Sequence, residues 1–250
     1  MSGHSKWSTI KRKKGALDAK RGKLFARLIR AIEAAAKQGG PDPEANPTLA
    51  TAIQKARDNS VPKDNIDRAL KRAAGKESGA VEYEQVFYEG YAPGGVAVYV
   101  ECLTDNRNRA ANDVRSAFNK QGGSLAEAGA VGYLFSRTGV ILVSAEEASE
   151  DDVLAAAIDA GIEDVEVDGD TITVKAEPSD LQEIRQALEG AGVPVQSSEV
   201  TMLPSVNVPV EDEGRAKQVL RLIDALEDCD DVQNVYANFD IPDTVLEAVA

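Results

Sequence analysis

Residues 138–203 read TGVILVSAEEASEDDVLAAAIDAGIEDVEVDGDTITVKAEPSDLQEIRQALEGAGVPVQSSEVTML, and the periodicity of this stretch decides its fold. Val140 to Val143 is an apolar run of strand length. Ser149 to Ala160 is a helix, opened by the S-x-x-D pattern of Ser149 and Asp152 and closed by Gly161. Val165 and Val167 alternate with polar residues, Asp168-Gly169 predicts a type I′ hairpin, and Ile172 and Val174 alternate on the return. Ser179 with Gln182 opens a second helix carrying Leu181, Ile184 and Leu188, which Gly190 ends, and Val193 to Met202 is a last strand. The order βαββαβ is that of a ferredoxin-like domain. RNA recognition motifs share it, but they carry aromatic and basic residues on their central strands. Here the third strand reads Asp170-Thr171-Ile172-Thr173-Val174-Lys175, and residues 137–204 hold 3 Lys/Arg against 16 Asp/Glu, a net of −13. This segment is expected to face a basic protein partner or to set geometry, not to grip RNA.

On either side lie incomplete pieces. Strands are expected at Tyr83 to Tyr91 and Val96 to Leu103, joined by the turn Ala92-Pro93-Gly94-Gly95. A helix follows from Asn106 to Lys120, then a Gly-rich loop and an apolar strand from Val131 to Phe135. After residue 204 come a strand (Val206, Val208, Val210), a helix (Val219, Leu220, Ile223, Leu226) and a strand (Val235, Ala237, Phe239, Ile241). Neither piece can build a core alone. Residues 77–136 and 205–250 are therefore expected to form one α+β domain, with the ferredoxin-like domain of 137–204 inserted in it.

Toward the N-terminus the charge reverses. Residues 1–76 carry 18 Lys/Arg against 7 Asp/Glu, a net of +11, and the other 174 residues carry 10 against 35, a net of −25. Residues 1–15 contain nothing that could form a core and read as a mobile basic arm. From Ala16 to Lys37, Leu17, Leu24, Phe25, Leu28, Ile29, Ile32 and Ala36 share one helical arc, with Lys20, Lys23, Arg27, Arg30 and Lys37 opposite. Two short amphipathic helices follow, over about 47–59 and after Pro62, completing a basic three-helix domain of residues 1–76.

These charges point to a polyanion. Lys6, Lys11, Arg12, Lys13, Lys14, Lys20, Arg21, Lys23, Arg27 and Arg30 form a candidate phosphate-tracking stripe, and Trp7 could stack on a base or pack on the bundle. Arg107 and Arg109 are a second candidate contact, although helix capping by Asp105 or Asn106 explains their segment as well. Tyr83, Phe87, Tyr88, Tyr91 and Tyr99 read as cross-strand packing, with base stacking the lesser alternative.

Catalytic patterns are missing from the sequence. His4 is its one histidine, so no His-based triad or paired-His metal site can form. Neither phosphate-binding glycine motif occurs. Cys102 and Cys229 lie far apart and read as small apolar residues of a reducing compartment. No apolar run reaches membrane length, and the basic, acid-poor start lacks the apolar core of a secretory signal. No enzyme activity, cofactor, metal, membrane contact or small-molecule substrate is expected, and the expected location is cytoplasmic.

Several motifs carry a family resemblance. Gly3-His4-Ser5-Lys6-Trp7, Lys20-Arg21-Gly22-Lys23, Pro62-Lys63-Asp64-Asn65-Ile66, Tyr88-Glu89-Gly90-Tyr91-Ala92-Pro93-Gly94-Gly95 and Leu103-Thr104-Asp105-Asn106-Arg107-Asn108-Arg109 together resemble the YebC/PmpR family. It is the bacterial counterpart of the mitochondrial translational activator of cytochrome c oxidase subunit I. The resemblance runs the length of the chain, through architecture rather than motif over 137–204, and Ala92 stands where the family more often has glycine. It implies a helical N-terminal domain followed by two α+β domains and a regulatory, non-enzymatic role, with no catalytic residues to carry over. A DNA-binding transcriptional regulator is the leading expectation. The alternative is a ribosome-associated translation factor contacting ribosomal RNA or tRNA, for example at consecutive prolines; a protein-interaction adaptor using the acidic domains is a third class.

Overall fold

The computed structural model describes residues 18–75 and 82–249, with side chains for all of these except 18–21 and 243. Among the described residues three helices come first: α1 (Asp18–Gly39), α2 (Pro47–Asp58) and α3 (Lys63–Ala73). Leu28, Ile32, Ala35 and Ala36 of α1 bury against Leu49, Ile53 and Ala56 of α2 and Ile66 and Ala69 of α3. These positions recur at the helical period, so each helix presents one apolar stripe to a shared core. Asn46 shapes the turn between α1 and α2. Its side chain accepts from the Leu49 N–H at 3.1 Å, capping α2, and donates to the carbonyls of Ala35 and Gly40 at 2.9 Å each.

The next elements are β1 (Glu84–Ala92), β2 (Val96–Thr104), α4 (Arg107–Lys120) and a two-residue β3 (Ser124–Leu125). A ferredoxin-like run follows: β4 (Phe135–Ser144), α5 (Glu150–Ala157), β5 (Ile162–Asp168), β6 (Thr171–Ala176), α6 (Leu181–Gly190) and β7 (Val195–Pro204). The chain closes with β8 (Val208–Pro209), α7 (Glu213–Glu227), β9 (Val232–Ala237), β10 (Phe239–Asp240) and α8 (Asp243–Val249). The class is α+β: helices first, then two sheet-containing portions, one inserted in the other.

The first sheet has the order β3-β1-β2-β9. β9 pairs antiparallel with β2, so segments on both sides of the insertion complete one sheet. Because strand residues alternate between faces, Val96, Val98, Val100 and Cys102 point to one side, where they pack on Val114 and Phe118 of α4 and Leu222, Ile223 and Leu226 of α7. Within 135–203 the order is β5-β6-β4-β7, with Val153 and Ala157 of α5 and Ile184 and Leu188 of α6 in its core. Residues 135–203 form one compact unit, and the described residues on either side form another.

Gly90 is a site of close packing in the unit that flanks residues 135–203. A Cβ there would lie 2.6 Å from the Ser124 carbonyl oxygen and 2.7 Å from the fully buried Phe118 ring. Gly90→Ala is expected to destabilise the chain by about 1–3 kcal/mol through overpacking, read as a lower urea midpoint at unchanged slope.

Four local expectations need correction. The anticipated strand at Val131 to Phe135 is a 3₁₀ turn over Gly132–Leu134, with β4 starting only at Phe135. The Glu89 carboxylate captures the N–H groups of Gly129, Val131 and Gly132, which removes them from any strand ladder. The hairpin between β5 and β6 turns on Gly169-Asp170, with Asp168 paired to Thr171. Gly169 alone has a positive φ there (59°), as a type II′ turn requires and type I′ does not. Helix α6 is preceded by Asp180 and has no side-chain cap, since the Ser179 hydroxyl bonds the Asp180 carboxylate instead. In the tail, the final strand splits into β9 and β10, and α8 follows where no helix was expected.

Candidate nucleic-acid interface

The cationic face of α1 is ordered by the helix period. Lys23, Arg27 and Arg30, at i, i+4 and i+7, fall on one stripe. That stripe lies against residues 227–231, the acidic turn between α7 and β9. Lys23 Nζ donates to the Asp228 carbonyl at 3.0 Å and sits 3.6 Å from its carboxylate. Arg30 donates to the Asp230 carbonyl at 2.6 Å and the Leu103 carbonyl at 3.4 Å, lies 3.6 Å from Asp231 Oδ1, and covers the Tyr83 ring at 5.6 Å. Between them, Arg27 is packed down, and its Nε is buried without a hydrogen-bond partner among the described residues. Burial pushes the Arg27 guanidinium below its ordinary pKa, opposed by Glu227 and Asp228.

Arg109 belongs to the same cluster. Its guanidinium grips Asp231 through Nε at 3.0 Å and NH2 at 2.8 Å, and also donates to Asp105 at 2.7 Å. Asp231 is only 5% exposed and accepts a further bond from the Thr104 hydroxyl at 2.9 Å. Bonds to Asp105 and Asp231 hold the Arg109 pKa above its usual value, and the Arg109 bond holds the Asp105 carboxyl below its own. Asn106 caps α4 by accepting from the Arg109 N–H at 3.1 Å. Capping and ion pairing thus account for this arginine locally. Arg107 is exposed and 3.3 Å from Glu84.

The remaining sequence candidates divide by position. Lys6, Trp7, Lys11, Arg12, Lys13 and Lys14 lie outside the described residues, and Lys20 and Arg21 lie on α1 with their side chains outside them. Sequence reasoning passed over Arg57, Lys63 and Lys71 as site residues. All three are exposed on or beside α2 and α3, and none forms an ion pair with a described residue. Their signals in the sequence are the surplus of cations over 47–76 and, for Lys71, a place on the outward face of an amphipathic helix. Arg68 is also exposed but bonds Asn65 at 2.7 Å, and Arg72 is tied to Glu33 at 2.7 Å.

The aromatic residues mostly pack on one another. Phe87 and Tyr99 stack across strands at 5.0 Å between centroids and 6° between planes, and Tyr99 meets Tyr236 at 6.5 Å. Tyr88 and Tyr91 donate to the carbonyls of Arg107 and Ala130, both at 3.2 Å. Within 135–203, Lys175 is bound by Asp164 at 2.9 Å and Glu166 at 2.6 Å, and Arg185 by Glu189 at 2.8 Å, so little cationic surface remains to attract phosphate there.

Cys102 and Cys229 are both free, and burial pushes their thiols up to about 12 and about 11, far from a reactive thiolate. Among the described residues there is no group of three or more His, Cys, Asp and Glu placed to hold a metal ion. No helix among them is long and apolar enough to cross a membrane.

Comparison with known proteins gives consistent matches. The model for the TACO1/YebC protein N-terminal domain matches residues 5–76, and that for the TACO1/YebC second and third domain matches residues 83–239. A probable transcriptional regulatory protein of Acidothermus cellulolyticus is 59% identical over 249 residues, covering all of both chains. One from Beutenbergia cavernae is 60% identical over 247 residues, 98% of each. The crystal structure of a conserved hypothetical protein from Aquifex aeolicus superposes with a TM-score of 0.80 at 48% identity, covering 90% of this chain and 93% of that one.

Proposed function

Because the chain belongs to the TACO1/YebC family, we propose that it is a non-enzymatic, cytoplasmic regulator of gene expression that binds nucleic acid through its basic N-terminal segment, with DNA at regulated genes as the target. The observation that carries this reading is the reversal of charge, +11 over residues 1–76 against −25 over the rest. Such segregation draws a phosphate backbone to one end of the chain and repels it from the other. Exposed Arg57, Lys63 and Lys71 support it, as do the names of the curated relatives. Leu28 and Ile32 bury in the helical core, so the test keeps α1 whole. Replacing Lys11, Arg12, Lys13 and Lys14 with glutamine should flatten the slope of log affinity against log salt by about 3–4, roughly one for each phosphate no longer neutralised. Unchanged affinity and slope for duplex DNA and single-stranded RNA would overturn the assignment.

A second reading, action on translation at the ribosome, is favoured by one observation. The net of −13 over 137–204 is the wrong sign for nucleic acid but suits the basic proteins of a ribonucleoprotein surface. Sedimentation of a lysate separates the two. Co-migration with ribosomes that persists after DNase treatment would replace the transcriptional reading with the translational one.

A further inference from the structure

The C-terminal end of α7 has the wrong charge for its own stability. A helix C-terminus carries partial negative charge and favours cations, yet the last turn of α7 has no basic residue and runs into Glu227, Asp228, Asp230 and Asp231. The compensation comes from α1. Lys23 and Arg30 donate to the carbonyls of Asp228 and Asp230, and the Lys23, Arg27 and Arg30 stripe lies near the carboxylates of Glu227, Asp228 and Asp231. This contact is polar: the apolar side of α1 is committed to α2 and α3, and its residues belong to a different core from that of α7 and β9.

The seam is also incomplete. Arg27 Nε is buried there without a partner, and no carboxylate lies within 4.0 Å of the Arg27 guanidinium among the described residues. Releasing α1 would strand little charge. Asp228 is mostly exposed, and the buried Asp231 keeps Arg109 and Thr104. The carboxylates of Asp228 and Asp231 and the carbonyls of Asp228 and Asp230 lie beside Lys23 and Arg30 where phosphate oxygens would.

We propose that Lys23, Arg27 and Arg30 form a phosphate-binding stripe for a nucleic-acid backbone, and that residues 227–231 occupy it as an internal competitor. Access to the stripe then requires the acidic turn to be displaced, which lowers affinity for any polyanion too short or too dilute to displace it. This inference rests on the nucleic-acid reading above.

The test uses the full-length chain carrying Glu227→Gln, Asp228→Asn and Asp230→Asn, which leaves Asp231 in place. Binding of fluorescein-labelled single-stranded RNA and of duplex DNA, each about 20 nucleotides long, is titrated between roughly 50 and 200 mM salt. The variant should bind about tenfold tighter at the low-salt end, with a slope steeper by about 2–3 for the cations released. A control with the same charge change within the 135–203 unit, Glu146→Gln, Glu150→Gln and Asp151→Asn, should leave the slope unchanged; an equal gain in it would overturn the proposal in favour of general charge reduction. Adding Lys23→Gln and Arg27→Gln should cost less than about twofold in the parent but cancel the gain in the triple variant, a coupling that separate effects cannot produce. Circular dichroism melts check that each variant is folded. Parent binding with no gain in the variant sinks the competitor alone, whereas absence of binding by parent and variant sinks the nucleic-acid reading and this one with it.

Discussion

Arg109→Ala should lower the stability of the chain by about 2–4 kcal/mol, more than its half-exposed side chain would suggest. The cost falls on Asp231. That carboxylate is 5% exposed and holds two guanidinium nitrogens of Arg109 at 2.8 and 3.0 Å. Truncating the arginine leaves a buried anion with the Thr104 hydroxyl and a more distant Arg30 at 3.6 Å. Arg30 and the 47% exposure of the Arg109 side chain keep the loss toward the lower end of what breaking a buried pair costs. Removing both charges together, Arg109→Met with Asp231→Leu, should cost less than Arg109→Ala alone, since no buried charge is then orphaned. Urea denaturation of the two variants measures both. Arg109→Ala should leave the salt slope of polyanion binding unchanged, because its guanidinium is engaged within the fold. A slope reduced by about one would instead make it a phosphate contact.

The second large effect is expected at Glu89. This residue lies on the sheet face opposite α4 and α7, 8% exposed, and its carboxylate accepts from the N–H groups of Gly129 at 2.7 Å, Val131 at 2.6 Å and Gly132 at 2.7 Å. Glu89→Ala strips an acceptor from three main-chain donors at once and should cost about 2–4 kcal/mol. Burial alone would raise the Glu89 pKa, but the three donors outweigh it and hold the carboxyl below its ordinary value. A depressed folded-state pKa means that this stabilisation is complete above the unfolded value near about 4.3 and fades as the pH falls through the folded one. The stability gap between the parent and Glu89→Gln should therefore be widest near neutrality and close under acid. A gap that stayed constant from neutral to strongly acidic pH would show that the charge of the carboxylate is not what holds the loop.

Glu89 also shows where local sequence reading stops. The run Val131 to Phe135 is apolar and strand-like, and nothing near it announces that a carboxylate about forty positions earlier will take its amides. The ferredoxin-like segment was legible because its signals are local: alternation in β5 and β6, the Ser149 capping box on α5, and the glycine after the following turn. The hairpin type was not, because Asp168-Gly169 and Gly169-Asp170 are overlapping turn signals and only the pairing register selects between them.

The candidate interface divides in the same way. That Lys23, Arg27 and Arg30 share a face follows from the helical period and was readable directly. That this face meets an acidic turn about two hundred residues away was not readable, because that proximity exists only once the chain is folded. Composition counts charges but carries no distances, and Coulomb energy depends on distance and on local dielectric. The amino-acid order by itself therefore determined the separation of a cationic end from an anionic remainder, the identity of most helices and strands, and the family. Only the tertiary structure decided which cations are already engaged by carboxylates and carbonyls of the same chain and which stand exposed, because that depends on what folding brings within a few ångströms.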